Sequence, residues 1–149
     1  MGAPTAYSIG FTGKTAEIFF GLLERTGIER LVDVRIHNTS QLAGFTKQND
    51  LKFFLDRLLG VEYVHLPILA PTEALLKSYR SKKISWSDYE VEFLTLMKSR
   101  RIESEIQPEF FEKPSALLCS EATADECHRR LVLEYLRNSW KNGLRIVHL

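Results

Sequence analysis

The sequence predicts a three-layer α/β/α sandwich built on a mostly parallel sheet of about five strands. Short apolar runs alternate along the chain with segments of helical period, and glycine or proline punctuates most of the changes. Strands separated by helices require right-handed crossovers, which cover both faces of a parallel sheet.

Each element has its own signal. "AYSIG" reads as a first strand ending at Gly10. A helical pattern from Lys14 then places Ile18, Phe19, Leu22 and Leu23 on one face, and Gly27 stops it. "RLVDVR" is a second buried strand, followed by the polar loop "IHNTSQLAGFTKQ". Residues 50–59 repeat Phe53, Phe54, Leu58 and Leu59 at helical spacing up to Gly60. "VEYVHLP" is the third strand, closed by Pro67. Helices are expected over 72–79 and 86–101, and Pro108 and Pro114 bracket a loop. "SALLCS" is the fourth strand, 124–138 the next helix and "LRIVHL" the last strand.

Composition narrows the classes. A chain of 149 residues with no linker, repeat or low-complexity tract fits one domain over 1–149. Its 20 basic and 19 acidic residues nearly cancel, so whole-domain attraction to nucleic acid or an anionic membrane is weak, and only a local basic patch keeps nucleic acid open as a partner. No apolar run approaches the ~18 to 20 residues of a membrane span. The expectation is a soluble cytoplasmic protein. Two cysteines are too few for a disulfide framework, and in that setting they are expected as reduced thiols.

The residues capable of chemistry cluster by topology. Loops after the carboxyl ends of parallel strands converge on one edge, where ligands bind in open sheets. Strand one brings "GFTGKT" to that edge, strand two Asp33 and Arg35, strand three His65, and strand four Cys119, Ser120 and Glu121. A parallel fifth strand would add His148. Plainer roles compete: Asp33 and Arg35 would neutralise each other at a strand end, His65 would be a satisfied core histidine, and His148 would fray with the terminus. "GFTGKT" is not a phosphate-binding P-loop, because Ser8 stands where that pattern needs glycine. The turn still offers backbone N–H groups to an anion.

"LLCSEATADECHRR" has the clearest local grammar. Thr123 and Glu126 fit a capping box, which starts the helix just after Thr123 and puts Cys119 before its N-terminus. The helix end and the charges of Arg129 and Arg130 would favour a thiolate there. On the same helix Arg129 falls in the exposed register, opposite Leu131 and Tyr135, and Cys127 on their apolar face. The two sulfurs are close enough in this arrangement to approach each other. Cys119, Cys127 and His128, with His65, would alternatively supply zinc ligands, though Cys-x7-Cys-His lacks the short spacing of a zinc knuckle. Asp125 stands six after Cys119, where a phosphatase loop needs arginine.

Through "YSIGFTGKT", "LVDVR", "SQLAGFTK", "EYVHLPILAPT", "SYR", "LLCSEATADECHRR" and the terminal "VHL", the chain resembles the family called domain of unknown function 488. The resemblance implies a compact α/β domain whose pattern falls on Asp33, Arg35, Ser40, Gly44, Phe45, Lys47, His65, Pro67, Cys119, Glu121, Cys127, His128 and Arg129. Asn38, Gln41 and Ala43 stand where members often carry proline, arginine and proline, which removes an arginine that a phosphate clamp would use. Three functions remain open. In an enzyme or nucleotide-processing domain, Arg35, Lys47, Arg129 and His128 hold an anionic small molecule or nucleotide. Cys119 is then nucleophile or redox thiol, and Asp33, Glu121 or His65 moves protons. The second is a zinc-type metal domain on Cys119, Cys127 and His128. The third is a noncatalytic module in which these groups only fix the loops.

Overall fold

A computed structural model describes residues 3–39, 44–121 and 123–149 of the chain. Ser40, Gln41 and Ala43 lie outside the described residues. Five strands, β1 (Thr5–Gly10), β2 (Arg30–Asp33), β3 (Glu62–His65), β4 (Ser115–Cys119) and β5 (Arg145–His148), form one sheet in the order β3-β2-β4-β1-β5. Every pairing is parallel, the last strand included. No helix among the described residues is long and apolar enough to cross a membrane.

Strand alternation decides which side chains go to which layer. Ile9, Leu31, Ala116 and Leu118 face one side, where α1 (Ala16–Thr26) and α2 (Gln48–Phe54) bury Phe19, Phe20, Leu23 and Leu51. Ala6, Val32, Val34, Leu117 and Cys119 face the other, against α3 (Glu73–Arg80), α4 (Trp86–Arg100), α5 (Ile102–Glu105) and α6 (His128–Trp140). The expected α/β/α layers are therefore present. Helix α2 continues into one π-helical stretch, Leu55–Leu59. Gly27 and Gly60 close their helices in the left-handed region, with φ of 74° and 65°.

The layers fix the location of a crevice. The connection leaving β2 runs to the α2 side and the one leaving adjacent β4 runs to the α6 side, so their loops part above the sheet. Such switch points are where open α/β sheets bind ligands.

The last helix departs from the sequence expectation. Thr123 and Glu126 do not form a capping box; α6 begins at His128, with Cys127 as its N-cap residue. Glu126 is engaged elsewhere, accepting a hydrogen bond from the Tyr79 hydroxyl at 2.9 Å. Arg130 holds the preceding turn by donating to the Asp125 carbonyl. Arg129 is fully buried rather than exposed, and it shares its face with Val132, Leu133 and Leu136 at spacings of 3, 4 and 7. Burying those three aliphatic side chains contributes up to about 1.5–3 kcal/mol each.

At Gly10 the sheet closely approaches the loop after β4 and the Arg129 side chain of this helix. A β-carbon there would lie 1.6 Å from the Glu121 carbonyl oxygen and 2.8 Å from Arg129 Nη1. Gly10→Ala should therefore destabilise the protein by at least about 1–3 kcal/mol, the usual cost of overpacking. Gly44→Ala, whose β-carbon meets nothing within 4 Å among the described residues, is the control. Denaturant midpoints of the two variants check this, and equal midpoints would contradict the packing described.

Candidate functional site

The carboxyl ends of the strands carry two polar networks, one on each face of the sheet. On the α2 side, Asp33 ends β2 fully buried, and Arg35 folds back over it with only 3 % exposure. Arg35 Nε donates to Asp33 Oδ1 and Nη2 to Oδ2, both at 2.9 Å, a two-pronged pair. Arg35 Nη2 also donates to the Thr46 carbonyl at 2.8 Å. Tyr63 and Asn38 donate to Asp33 Oδ2 at 2.5 and 3.3 Å. Burial alone would raise the Asp33 carboxyl, but the Arg35 and Tyr63 hydrogen bonds and the Arg35 charge outweigh it and hold it below the ordinary value. The same carboxylate, with burial as the larger cause, pushes the Tyr63 phenol upward.

On the α6 side, the Arg129 guanidinium reaches under the loop after β4. Its Nε donates to Ser8 Oγ at 3.1 Å and its Nη1 to the Glu121 carbonyl at 2.7 Å, with the Cys119 sulfur 3.9 Å from Nη1. Desolvation pushes its pKa down to about 10, partly offset by the Glu121 charge, so it remains a cation at neutral pH. Ser8 joins it to His148 of β5 through Nδ1, so the terminal histidine is tied to the sheet. His128 is bonded through Nε2 to the Val34 carbonyl at 2.7 Å. Burial, opposed by that bond and reinforced by Arg129, pushes its pKa down to about 4, and the ring is neutral at neutral pH.

The cysteines are not two free thiols. Cys119 and Cys127 are joined as a disulfide, and no free cysteine remains. Helix α6 starts later than the sequence suggests, so Cys127 stands at its N-cap position, where its sulfur reaches Cys119 at the end of β4. Cys127 also packs in the core on this face, as its apolar neighbours suggested.

Between the networks lies a cleft of about 450 Å³ at the β2–β4 switch point. Arg35 and His37 line it from the segment after β2, and Cys119, Ser120, Glu121, Cys127 and His128 from the end of β4 to the start of α6. Tyr79, Arg80, Trp86 and Tyr89 of α3 and α4 close the far wall. Trp86 and Tyr89 stack with centroids 5.2 Å apart, and Tyr79 packs against both.

Of the residues singled out from sequence, the cleft brings together Arg35, Cys119, Glu121, Cys127 and His128. Asp33 and His65 reach the same sheet edge, in register with each other on β2 and β3, but neither lines the cleft. Asp33 is enclosed by its partners, and His65 Nε2 bonds the Arg35 carbonyl at 3.0 Å. Arg129 lies beneath the cleft floor. Lys47 is exposed at the N-cap position of α2, away from the lining. The aromatic wall escaped sequence reasoning, although "SYR" had drawn notice to Tyr79 and Arg80.

The fold and the cleft define a doubly covered parallel α/β domain with cysteine, histidine and arginine residues lining a cleft at its strand ends. The chain belongs to the family described as domain of unknown function DUF488, which matches residues 15–136. No curated protein and no solved structure matches it.

Two measurements follow. Asp33→Asn leaves a buried guanidinium unpaired and should cost about 3–5 kcal/mol. Because the folded-state carboxyl titrates below its unfolded value of about 3.9, the pair's contribution is present above that pH and is lost as pH falls toward the lower folded value. The variant should therefore show a shallower acid limb in stability against pH, and an unchanged limb would contradict the linkage. Separately, the protein denatured without reductant should offer no thiol to a thiol reagent, and two after reduction. Two thiols without reduction would show the pair to be open.

Proposed function

We propose that the cleft binds an anionic ligand bearing a planar ring, of the nucleotide class, above a reactive cysteine pair. The observation that carries this reading is Arg35 Nη1. It is buried, it has no hydrogen-bond partner among the described residues, and Arg35 is one of the residues that line the cleft. A buried donor left unmade costs about 1–3 kcal/mol, which an acceptor oxygen on a ligand would recover. A phosphate or carboxylate oxygen is the natural partner for a guanidinium already oriented by Asp33.

The opposite wall supports the ring. Half-buried Trp86, stacked on Tyr89, presents an aromatic surface, and exposed Arg80 adds a second cation at the rim. Stacking of a base on such a surface is worth about 1–3 kcal/mol. In this reading the Cys119 sulfur, once reduced, is the nucleophile, favoured as thiolate by the Arg129 cation. Glu121 is the carboxylate on the same lining suited to move a proton. Asp33 serves by orienting Arg35, not by proton transfer, and Lys47 has no part in the cleft.

Titration of the protein with a nucleoside monophosphate, followed by calorimetry and thermal melting, tests the proposal. The monophosphate should raise the midpoint more than the nucleoside or inorganic phosphate alone. Trp86→Ala should lose about 1–3 kcal/mol of binding, Arg80→Ala a smaller amount, and Lys47→Ala none. Absence of any midpoint shift, or Trp86→Ala binding as tightly as wild type, would favour the noncatalytic network instead.

A further inference from the structure

The groups at the cleft floor carry a second chemistry that does not depend on the nucleotide reading. We infer that Cys119, Cys127 and His128, when the disulfide is reduced, form a three-donor site for a zinc-class divalent cation with its remaining position open to the cleft. The ligand atoms of the three residues lie within 4.8 Å of one another. Cys119 ends β4, and Cys127 and His128 are the N-cap and the first residue of α6, so two elements of the fold position the set.

Three features fit a cation. First, His128 is bonded through Nε2 to the Val34 carbonyl, which fixes the ring and leaves Nδ1 as its remaining donor. Metal-binding histidines are held in this way, with the second nitrogen on a carbonyl or carboxylate. Second, the Cα atoms of Cys119 and Cys127 stand 7.6 Å apart. That exceeds the ~4.4–6.8 Å that disulfides usually span, and two thiolates each about 2.3 Å from a shared zinc stand further apart than bonded sulfurs. Third, the Arg129 guanidinium near Cys119 is placed to hydrogen-bond a ligating thiolate. Two sulfurs and one imidazole suit zinc or cobalt(II), and three protein ligands with an open position are the pattern of catalytic rather than structural zinc.

The electron balance is simple. A dithiol reductant gives two electrons and two protons to the disulfide and is itself oxidised to a disulfide. The two protein thiols then release their protons as the cation binds. Disulfide and metal are thus alternative states of the same two sulfurs.

The test is a cobalt(II) titration of the full chain, reduced and freed of reductant under anaerobic conditions. The result expected is one equivalent per chain, with thiolate-to-cobalt charge-transfer and tetrahedral visible bands that one equivalent of zinc abolishes. The same protein with its disulfide intact should give no bands. Cys127→Ser and His128→Gln, each verified as folded by circular dichroism, should weaken cobalt binding more than about tenfold. Reduced, folded wild type that gives no charge-transfer band overturns the inference without reference to any variant. So does a folded Cys127→Ser or His128→Gln that binds cobalt as wild type does. Neither result bears on nucleotide binding, which is read by the Trp86 and Arg80 variants.

Discussion

The site depends on the burial of one cation. Arg129 sits with no exposure between α6 and the sheet, and its two close partners, Ser8 Oγ and the Glu121 carbonyl, are neutral acceptors. A charge removed from water is tolerated only where hydrogen bonds replace hydration. Two separate segments must therefore meet it correctly: β1 supplies Ser8 and, at Gly10, the room for the guanidinium, and the loop after β4 supplies a carbonyl. The interaction ties α6 to β1 and to the Glu121 carbonyl just after β4. It thereby places Cys119, Cys127 and His128.

On the other face, the Asp33–Arg35 pair does for β2 what Arg129 does for β4. The carboxylate accepts from Arg35, Tyr63 and Asn38, so β2, β3 and the loop after β2 share one acceptor. Because the pair is two-pronged, the guanidinium plane is fixed, and the donor left over is fixed in direction as well. His65 extends the same network by bonding the Arg35 carbonyl. Among the described residues the two networks share no side chain. The cleft is the gap between them, and it exists because the connections after β2 and β4 leave toward opposite layers.

Much of this was legible in the sequence because topology is written in local periodicity. Alternating apolar runs and helical patterns sufficed for the parallel sheet, and the sheet sufficed to gather Asp33, Arg35, His65, Cys119 and Glu121 at one edge. What failed was local grammar read without its tertiary competitors. Thr123 and Glu126 fit a capping box, but Glu126 instead accepts from the Tyr79 hydroxyl, a partner 47 positions away. Arg129 looked exposed because charge was taken to mean surface, although its spacing to Val132, Leu133 and Leu136 marks a buried face. The expectation of reduced thiols followed from a presumed compartment, whereas proximity is set by the backbone. The wall of Tyr79, Trp86 and Tyr89 was invisible because two helices with their own caps create it only by crossing the β4 side of the sheet.

The electrostatics of the floor follow from these placements. Helix α6 is 13 residues long, and its N-terminus, with Cys127 as N-cap, meets the cleft, so the positive end of its dipole points at the cysteine sulfurs. Arg129 adds a full positive charge beneath them. Lys14, at the turn after β1, feels the same field: burial and then Arg129 lower its pKa. In such a field a neutral imidazole costs less than a cationic one, which accords with His128 staying unprotonated. Anionic species are favoured for the same reason, whether a thiolate, a phosphate oxygen or a carboxylate. One arrangement of positive groups therefore accounts for a neutral histidine and underlies the proposal of an anionic ligand and a thiolate, and it is fixed by the strand order and the burial of Arg129.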